Sequence, residues 1–216
     1  MLEPLRRIVQ EVNEAPDLEQ ALAVIVRRVK QTVSADVCSV YLTDFDAREH
    51  VLQATDGLRP EAVGEVRLPI HRGLIGWVSE RAEPVNLDEA STHPRYLFTC
   101  ETGEEHYRGF LGAPIIQNRK VLGVLALRVR EARCFADDEV TLVMTLAAQL
   151  AGAITHARAS GELARLQEPG SLPNRFLEGL SAASGIAIGT AVVVYPPADL
   201  DAIPDRTAVD IEKEED

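Results

Sequence analysis

The side chains best suited to acid–base, metal or thiol chemistry in this sequence are five histidines and three cysteines, and their spacing limits what they can do. They are His50, His71, His93, His106 and His156, with Cys38, Cys100 and Cys134. No two histidines stand two or four positions apart and no CxxC pair occurs, so neither a zinc site nor a disulfide framework is indicated. We expect the histidines at the surface or in loops, Cys38 in the core, and no catalytic centre in this chain.

The composition is that of a globular protein and argues against two classes of partner. The 216 residues carry a net charge of −12, which would repel nucleic acid from most of the surface. No signal-peptide pattern opens the chain, and no apolar run approaches the roughly 18 residues that span a bilayer, so no membrane association is expected. The odd number of cysteines fits a reduced, cytoplasmic compartment.

Apolar residues recur at helical spacing in several stretches. The predicted helices cover residues 2–12, 18–33, 73–78 and a long stretch from 135 onward. Asp17 is placed to cap the second helix, and Gln20 follows three residues later, as in a capping box. The apolar stripe of the last helix continues through Ile154, Leu163 and Leu166.

The first predicted strand, residues 37–43, has two chemically different faces because its residues alternate. The alternation places Cys38, Val40 and Leu42 on an apolar face, and Ser39, Tyr41 and Thr43 on a partly polar one. Further extended segments are predicted over residues 50–54, 65–70, 84–87, 109–116 and 121–129. Residues 88–105 are polar and show no period, which is typical of a functional or mobile loop.

The chain changes character near residue 166. Residues 167–179 contain the turn-rich stretch EPGSLP, which indicates a linker. Residues 185–194 predict a glycine-punctuated strand, and too few residues follow to build a core around it. We therefore expect a first domain over residues 1–166, the linker, and the truncated start of a second domain over residues 180–216.

The order of these elements, with several sequence stretches, resembles that of GAF domains. The stretches are CSVYL (38–42), GLIGWVSERAEPVNL (73–87), FLGAPI (110–115), VLGVLAL (121–127) and FADDEVTLVMTLAAQLAGAI (135–154). The resemblance implies an α+β fold with a central, mostly antiparallel sheet. Helices would pack on one face of the sheet, and an irregular segment would cover a pocket on the other.

Residues 180–194, LSAASGIAIGTAVVV, resemble the opening strand of enzyme I, the phosphoenolpyruvate-dependent protein phosphotransferase. A GAF domain before that strand is the layout of enzyme I of the nitrogen-related phosphotransferase system, the PtsP family. The resemblance implies a histidine that accepts phosphate from phosphoenolpyruvate and passes it to a histidine-containing phosphocarrier protein, with magnesium in the catalytic part. That histidine would lie beyond residue 216, so no residue here inherits its role and no cofactor is expected in this chain.

The implied pocket suggests candidate ligand-binding residues, namely Ser39, Tyr41, His93, Tyr96, Arg108 and Arg128. Alternation turns Ser39, Tyr41 and Arg128 toward the pocket, while the others lie in the irregular segment or at the entrance to the next strand. A small anion would pair with an arginine and accept a hydrogen bond from Tyr41 or Ser39. In the alternative, Tyr41 is a core aromatic residue, both arginines are solvated, and Trp77 anchors its short helix in the core.

Two functions remain open for the first domain. In one, it binds a small nitrogen- or carbon-status metabolite, such as glutamine or 2-oxoglutarate, and modulates phosphotransfer in the absent catalytic part. In the other, it is a ligand-free dimerisation scaffold. The apolar stripes of the first and last helices fit a homodimer with two-fold symmetry, unless they pack only on their own sheet.

Overall fold

The computed structural model describes residues 2–97 and 107–161. Within these ranges the helices are α1 (Leu2–Asn13), α2 (Leu18–Thr32), α3 (Gly73–Arg81) and α4 (Asp137–Ala159). The strands are β1 (Val37–Asp44), β2 (Glu49–Asp56), β3 (Arg67–Pro69), β4 (Val85–Leu87), β5 (Gly109–Gln117) and β6 (Lys120–Val129). Single-turn 3-10 helices occupy Pro60–Ala62 and Ala90–Thr92. The predicted linker and second domain lie outside the described residues.

The described strands form one sheet in the order β3-β2-β1-β6-β5-β4, and every neighbouring pair is antiparallel. Short connections join β1 to β2 and β5 to β6, so each pair is a hairpin. The register of the first hairpin shifts between Val40 and Tyr41, which leaves Gln53 without a partner in the ladder. The predicted α+β fold with its antiparallel sheet is confirmed.

The two faces of the sheet belong to two separate hydrophobic clusters. Cys38, Val40 and Leu42 lie in the larger cluster, together with residues of α1, α2 and α4. Val37 and Tyr41 lie in the smaller cluster, with residues of α3. The predicted alternation of β1 is therefore confirmed, since successive strand side chains point to opposite faces.

Local sequence signals explain where α2 and α4 begin. The backbone N–H of Gln20 donates to Asp17 Oδ1 at 2.8 Å, and Gln20 Nε2 donates to Asp17 Oδ2 at 3.1 Å, which confirms the predicted cap. Before α4, Glu139 accepts a hydrogen bond of 2.7 Å from the backbone N–H of Ala136, and Arg133 holds the same carboxylate at 2.9 Å. Alanine has no side-chain acceptor, so only this half of a capping box forms.

By length and composition, α4 is a described helix that could cross a membrane. Residues 140–157 contain no Asp, Glu, Lys or Arg, although three threonines, Gln149 and His156 interrupt the apolar residues. One side of α4 is buried in the larger cluster, through residues that include Leu146, Leu150 and Ile154. A largely uncharged sequence is what a helix against a core requires.

The extents of several elements differ from those predicted, β2, β3 and α3 among them. β3 begins at Arg67 instead of residue 65, because the backbone N–H groups of Glu65 and Val66 turn back to the carbonyl of Ala62, at 3.3 and 3.0 Å. The helix predicted to end at residue 78 continues to Arg81.

His50 was expected at the surface or in a loop, and this prediction was wrong. The residue is fully buried on β2, where its Nδ1 atom lies 3.2 Å from Thr43 Oγ1 on β1. Burial lowers the pKa of His50 to about 4. The imidazole is therefore neutral around pH 7, as its apolar surroundings require.

Candidate ligand-binding site

A small cavity lies on the face of the sheet that α3 covers. Its volume is about 30 Å³, enough for one or two water molecules. The cavity is lined by Leu68, Gly73, Leu74, Ile75, Ala90, Tyr96, Leu97, Tyr107, Gly109, Phe110 and Arg128. Among the lining residues that the structure describes, the polar side chains are Tyr96, Tyr107 and Arg128, and a few such groups orient a ligand in a pocket.

Arg128 supplies the charge of this cavity wall. β6 turns its side chain to the cavity face, in register with Val37 of β1 and Phe110 of β5. The residue is only 8% exposed, which is uncommon for arginine. Its guanidinium carbon lies 5.8 Å from the centre of the Phe110 ring, within cation–π range. A sheltered, planar guanidinium matches the geometry of a carboxylate.

The first turn of α3 forms the opposite wall. Gly73 begins the helix with φ of +68°, a conformation that glycine adopts without strain. Leu97 packs closely over this turn, since a Cβ atom on Gly73 would lie 3.4 Å from the Leu97 Cβ atom. Tyr96 and Tyr107 are partly buried against the smaller hydrophobic cluster. The cavity is therefore enclosed by side chains from the sheet, from α3 and from residues near 96 and 107.

Ser39 and Tyr41 lie on the predicted face of the sheet but do not line the cavity. Ser39 is fully buried, and its hydroxyl lies 2.9 Å from that of Thr55 on β2. Tyr41 is fully buried in the smaller cluster, as the core-aromatic alternative expects. The ligand-binding role assigned to these two residues stays a prediction.

His93 and Arg108 also lie away from the cavity lining. The His93 ring stacks on the partly buried Trp77, with ring centroids 4.2 Å apart, so Trp77 is a stacking partner as well as a packing residue. Arg108 is largely exposed, and its Nε donates to Glu89 Oε2 at 2.5 Å. Hydrogen bonds from Ser91 and Arg108 lower the pKa of Glu89. Of the six predicted residues, the structure brings only Tyr96 and Arg128 to the cavity.

Nine of the eleven lining residues were absent from the predicted set, and Phe110 and Tyr107 are the aromatic ones among them. Phe110 lies opposite Arg128 in the β5–β6 register, and the alternation of β5 could have placed it on this face. Tyr107 precedes β5, where no strand period applies, so no sequence pattern identifies it.

Other reactive groups of the described residues lie apart from this cavity. Burial raises the pKa of the Cys38 thiol, which is enclosed on the opposite face of the sheet. Among residues 2–97 and 107–161, no group of three or more His, Cys, Asp or Glu residues comes together in the manner of a metal site. The described lining of the cavity places the Arg128 guanidinium beside apolar and tyrosine side chains, and a guanidinium is a group that binds small anions.

The fold is that of a known domain class. The GAF domain family model matches residues 17–154, and the chain belongs to this family. The GAF domain of a phosphoenolpyruvate-protein phosphotransferase from Coxiella burnetii aligns with a TM-score of 0.72 and 48% identity, over 74% of this chain and 96% of that one. The corresponding Acinetobacter domain gives a TM-score of 0.69 and 41% identity over the same shares, 74% and 96%.

Longer relatives show which kind of GAF domain this is. A phosphoenolpyruvate-dependent phosphotransferase system protein of Salmonella typhimurium is 37% identical over 190 residues, which are 88% of this chain and 25% of the relative. The chain is thus similar to the GAF domains of phosphoenolpyruvate-protein phosphotransferases, and it spans about a quarter of the length of the curated relatives that it matches. A free methionine-R-sulfoxide reductase from Neisseria meningitidis, with a TM-score of 0.63 and 21% identity over 73% of this chain and 90% of that one, shares the fold alone.

Proposed function

We propose that this domain senses a small metabolite with a carboxylate group, and that Arg128 is the residue that anchors the carboxylate. The single observation that supports the proposal most strongly is the burial of this guanidinium at the wall of a cavity, only 8% exposed. Charge-assisted hydrogen bonds from a guanidinium to a carboxylate are short, directional and often bidentate. Glutamine and 2-oxoglutarate, which both carry a carboxylate, are the compounds to test first.

The size of the cavity sets a condition on this function. Ligand pockets enclose roughly 300–1,000 Å³, about ten times or more the 30 Å³ found here. A metabolite therefore requires the wall to move away from the sheet. Binding would then be coupled to a change in the segment that carries Tyr96 and Leu97, and such a change can bias phosphotransfer to a histidine-containing carrier in the full-length protein.

Isothermal titration of the 216-residue chain with glutamine, 2-oxoglutarate and the uncharged dimethyl ester of 2-oxoglutarate tests the proposal. One or both carboxylates should bind and the ester should not. Arg128→Met should weaken binding roughly tenfold or more, as the loss of a charged hydrogen bond requires. Arg27→Met, on the exposed side of α2, is the matched control and should bind as the parent chain does. Equal binding by the parent chain and Arg128→Met would rule out the anchor.

The closed cavity also favours a second candidate, a ligand-free dimerisation scaffold. Under this proposal the helices carry the function, through a homodimer with two-fold symmetry. Light scattering over a range of micromolar concentrations tests it directly. If the chain is a monomer at every concentration, the scaffold is excluded. If the chain is a dimer and neither metabolite releases heat in the calorimetric titrations, the scaffold is favoured over sensing.

A further inference from the structure

The chain that precedes the cavity wall is held against α3 by a stack of two rings. The His93 imidazole lies on the Trp77 indole with a centroid separation of 4.2 Å and an interplanar angle of 28°. The backbone N–H of Arg95 donates to His93 Nδ1 at 3.1 Å, which fixes the orientation of the imidazole. Residues 93–95 are thus docked on one face of α3.

Arg95 makes a second attachment two residues further along. Its Nη2 atom lies 3.1 Å from Glu80 Oε2, near the end of α3. Its Nη1 atom donates to the backbone carbonyl of His71 at 3.0 Å, just before the helix begins. One guanidinium therefore joins residues 93–97 to both ends of α3.

The two residues that follow these attachments form part of the cavity wall. Tyr96 and Leu97 line the cavity, and Leu97 packs over Gly73 in the first turn of α3. Leu97 is also 37% exposed, the largest exposure of a large apolar side chain among the described residues. The position of the wall is therefore set by contacts made outside the cavity.

These attachments are accessible to water. The side chains of Arg95, Glu80 and His71 are 43%, 32% and 62% exposed. Ion pairs at this exposure contribute little free energy, because water screens them and two long side chains lose freedom. The sheet and helices behind them are held by fully buried apolar side chains instead. Releasing residues 93–97 therefore costs far less than unfolding the domain.

We infer that residues 93–97 form a latch, which the Trp77–His93 stack and the Arg95–Glu80 ion pair hold shut over the cavity. Detachment of the latch moves Tyr96 and Leu97 off the first turn of α3 and exposes the apolar wall beneath them. Only the identity of the ligand that enters the cavity, a small carboxylate metabolite, rests on the proposed function. The opening of the latch is a property of the chain itself.

A thiol placed under the latch measures the opening. Leu74→Cys introduces it on the cavity wall, where the leucine is 8% exposed, in a background in which Cys100 and Cys134 are replaced by serine. The native Cys38 remains, fully buried in the larger cluster, and reacts only when the core opens. Labelling rates at positions 74 and 38 in one sample separate local opening from unfolding.

Matched substitutions on α3 test the contacts. Glu80→Gln removes the ion pair with Arg95 and changes the 3.0 Å contact of Glu80 Oε1 with His71 Nδ1, and it should speed labelling at position 74 about two- to fivefold, as weakening of surface pairs predicts. His93→Ala should raise it about two- to tenfold through loss of the stack. Glu83→Gln, which removes only the ion pair to Arg81 at 2.9 Å, should leave the rate unchanged. The latch would be overturned if labelling at position 74 were no faster in Glu80→Gln and His93→Ala than in Glu83→Gln. A parallel rise in the labelling rate at position 38 would overturn it as well.

In a further experiment, thiol labelling is repeated with glutamine or 2-oxoglutarate added, up to the concentration at which the heat in the calorimetric titration saturates. Protection or exposure of position 74 by a metabolite supports both the latch and the sensing function. If Glu80→Gln accelerates labelling while neither metabolite changes it, the latch stands and the proposed ligand class fails. The two ideas are thereby tested separately.

Discussion

Gly112 lies where α3 packs closely on the sheet, and its replacement by alanine is a sharp test of this packing. A Cβ atom at this position would lie 2.5 Å from Val78 Cγ2 on α3 and 3.0 Å from two ring carbons of Phe110. Val78 is fully buried and Phe110 is 1% exposed. A buried valine has little rotamer freedom, so α3 itself must shift to admit the methyl group.

The expected cost follows from this overlap. Overpacking a filled core by one methyl group costs about 1–3 kcal/mol. For a domain of this size each 1 kcal/mol lowers Tm by roughly 2–4 °C, so Gly112→Ala should lower Tm by about 2–12 °C. Thermal unfolding followed by circular dichroism measures it. Because α3 carries one wall of the cavity, the same substitution should also loosen the latch.

Gly152→Ala is the matched control, since a Cβ atom on this exposed residue of α4 meets no atom within 4 Å. There alanine should raise Tm, because it favours a helix over glycine by about 1 kcal/mol. Val78→Ala in the Gly112→Ala background should restore part of the lost stability. The close approach of α3 would be refuted if Gly112→Ala were as stable as the parent chain. It would also be refuted if the losses of stability caused by Gly112→Ala and Val78→Ala simply added in the double variant.

Two further predictions concern His50 and Asn86. Acidification from about pH 6.5 to about pH 4 should lower the free energy of unfolding by roughly 3 kcal/mol. Burial lowers the pKa of His50 to about 4, so over this range the unfolded chain binds a proton that the folded chain does not bind. The full contribution is present above pH 6.5. Between about pH 7 and pH 4.5, urea denaturation should show a smaller loss of stability for His50→Gln than for the parent chain. An equal loss in the two chains would contradict this prediction. Asn86→Ala should lower the free energy of unfolding by about 1–3 kcal/mol in the same urea denaturation, because the Asn86 amide donates to Phe135 O at 2.8 Å and accepts from Phe135 N–H at 2.9 Å.

Much of the fold could be predicted because its signals are local. The alternation of β1 depends on strand geometry alone, and it correctly separated Val40 from Tyr41. The cap at Asp17 requires only that Gln20 follow it in a helical turn. Such features are decided within a few residues and can be seen in a single sequence.

The candidate site was harder to predict because it depends on distant pairings. Ser39 is on the predicted face, but the β1–β2 register sets it against Thr55, and that register includes a bulge that no pattern announces. Arg128 lies within a strand and its direction follows from alternation, whereas Arg108 precedes a strand and pairs with Glu89 at the surface. His50 lies on β2 between β1 and β3, where its side chain meets Thr43 and the backbone of Ile70, and this placement is a consequence of topology.

Arginine side-chain NMR is the most direct test of whether Arg128 binds the carboxylate of a small metabolite. The Nε–Hε signal of Arg128, assigned by its loss in Arg128→Met, should shift and saturate as glutamine or 2-oxoglutarate is added to the chain. The signal of Arg27, on the opposite side of the sheet, should stay in place. If the Arg128 signal does not move with either compound, or moves only together with that of Arg27, then Arg128 does not bind the carboxylate.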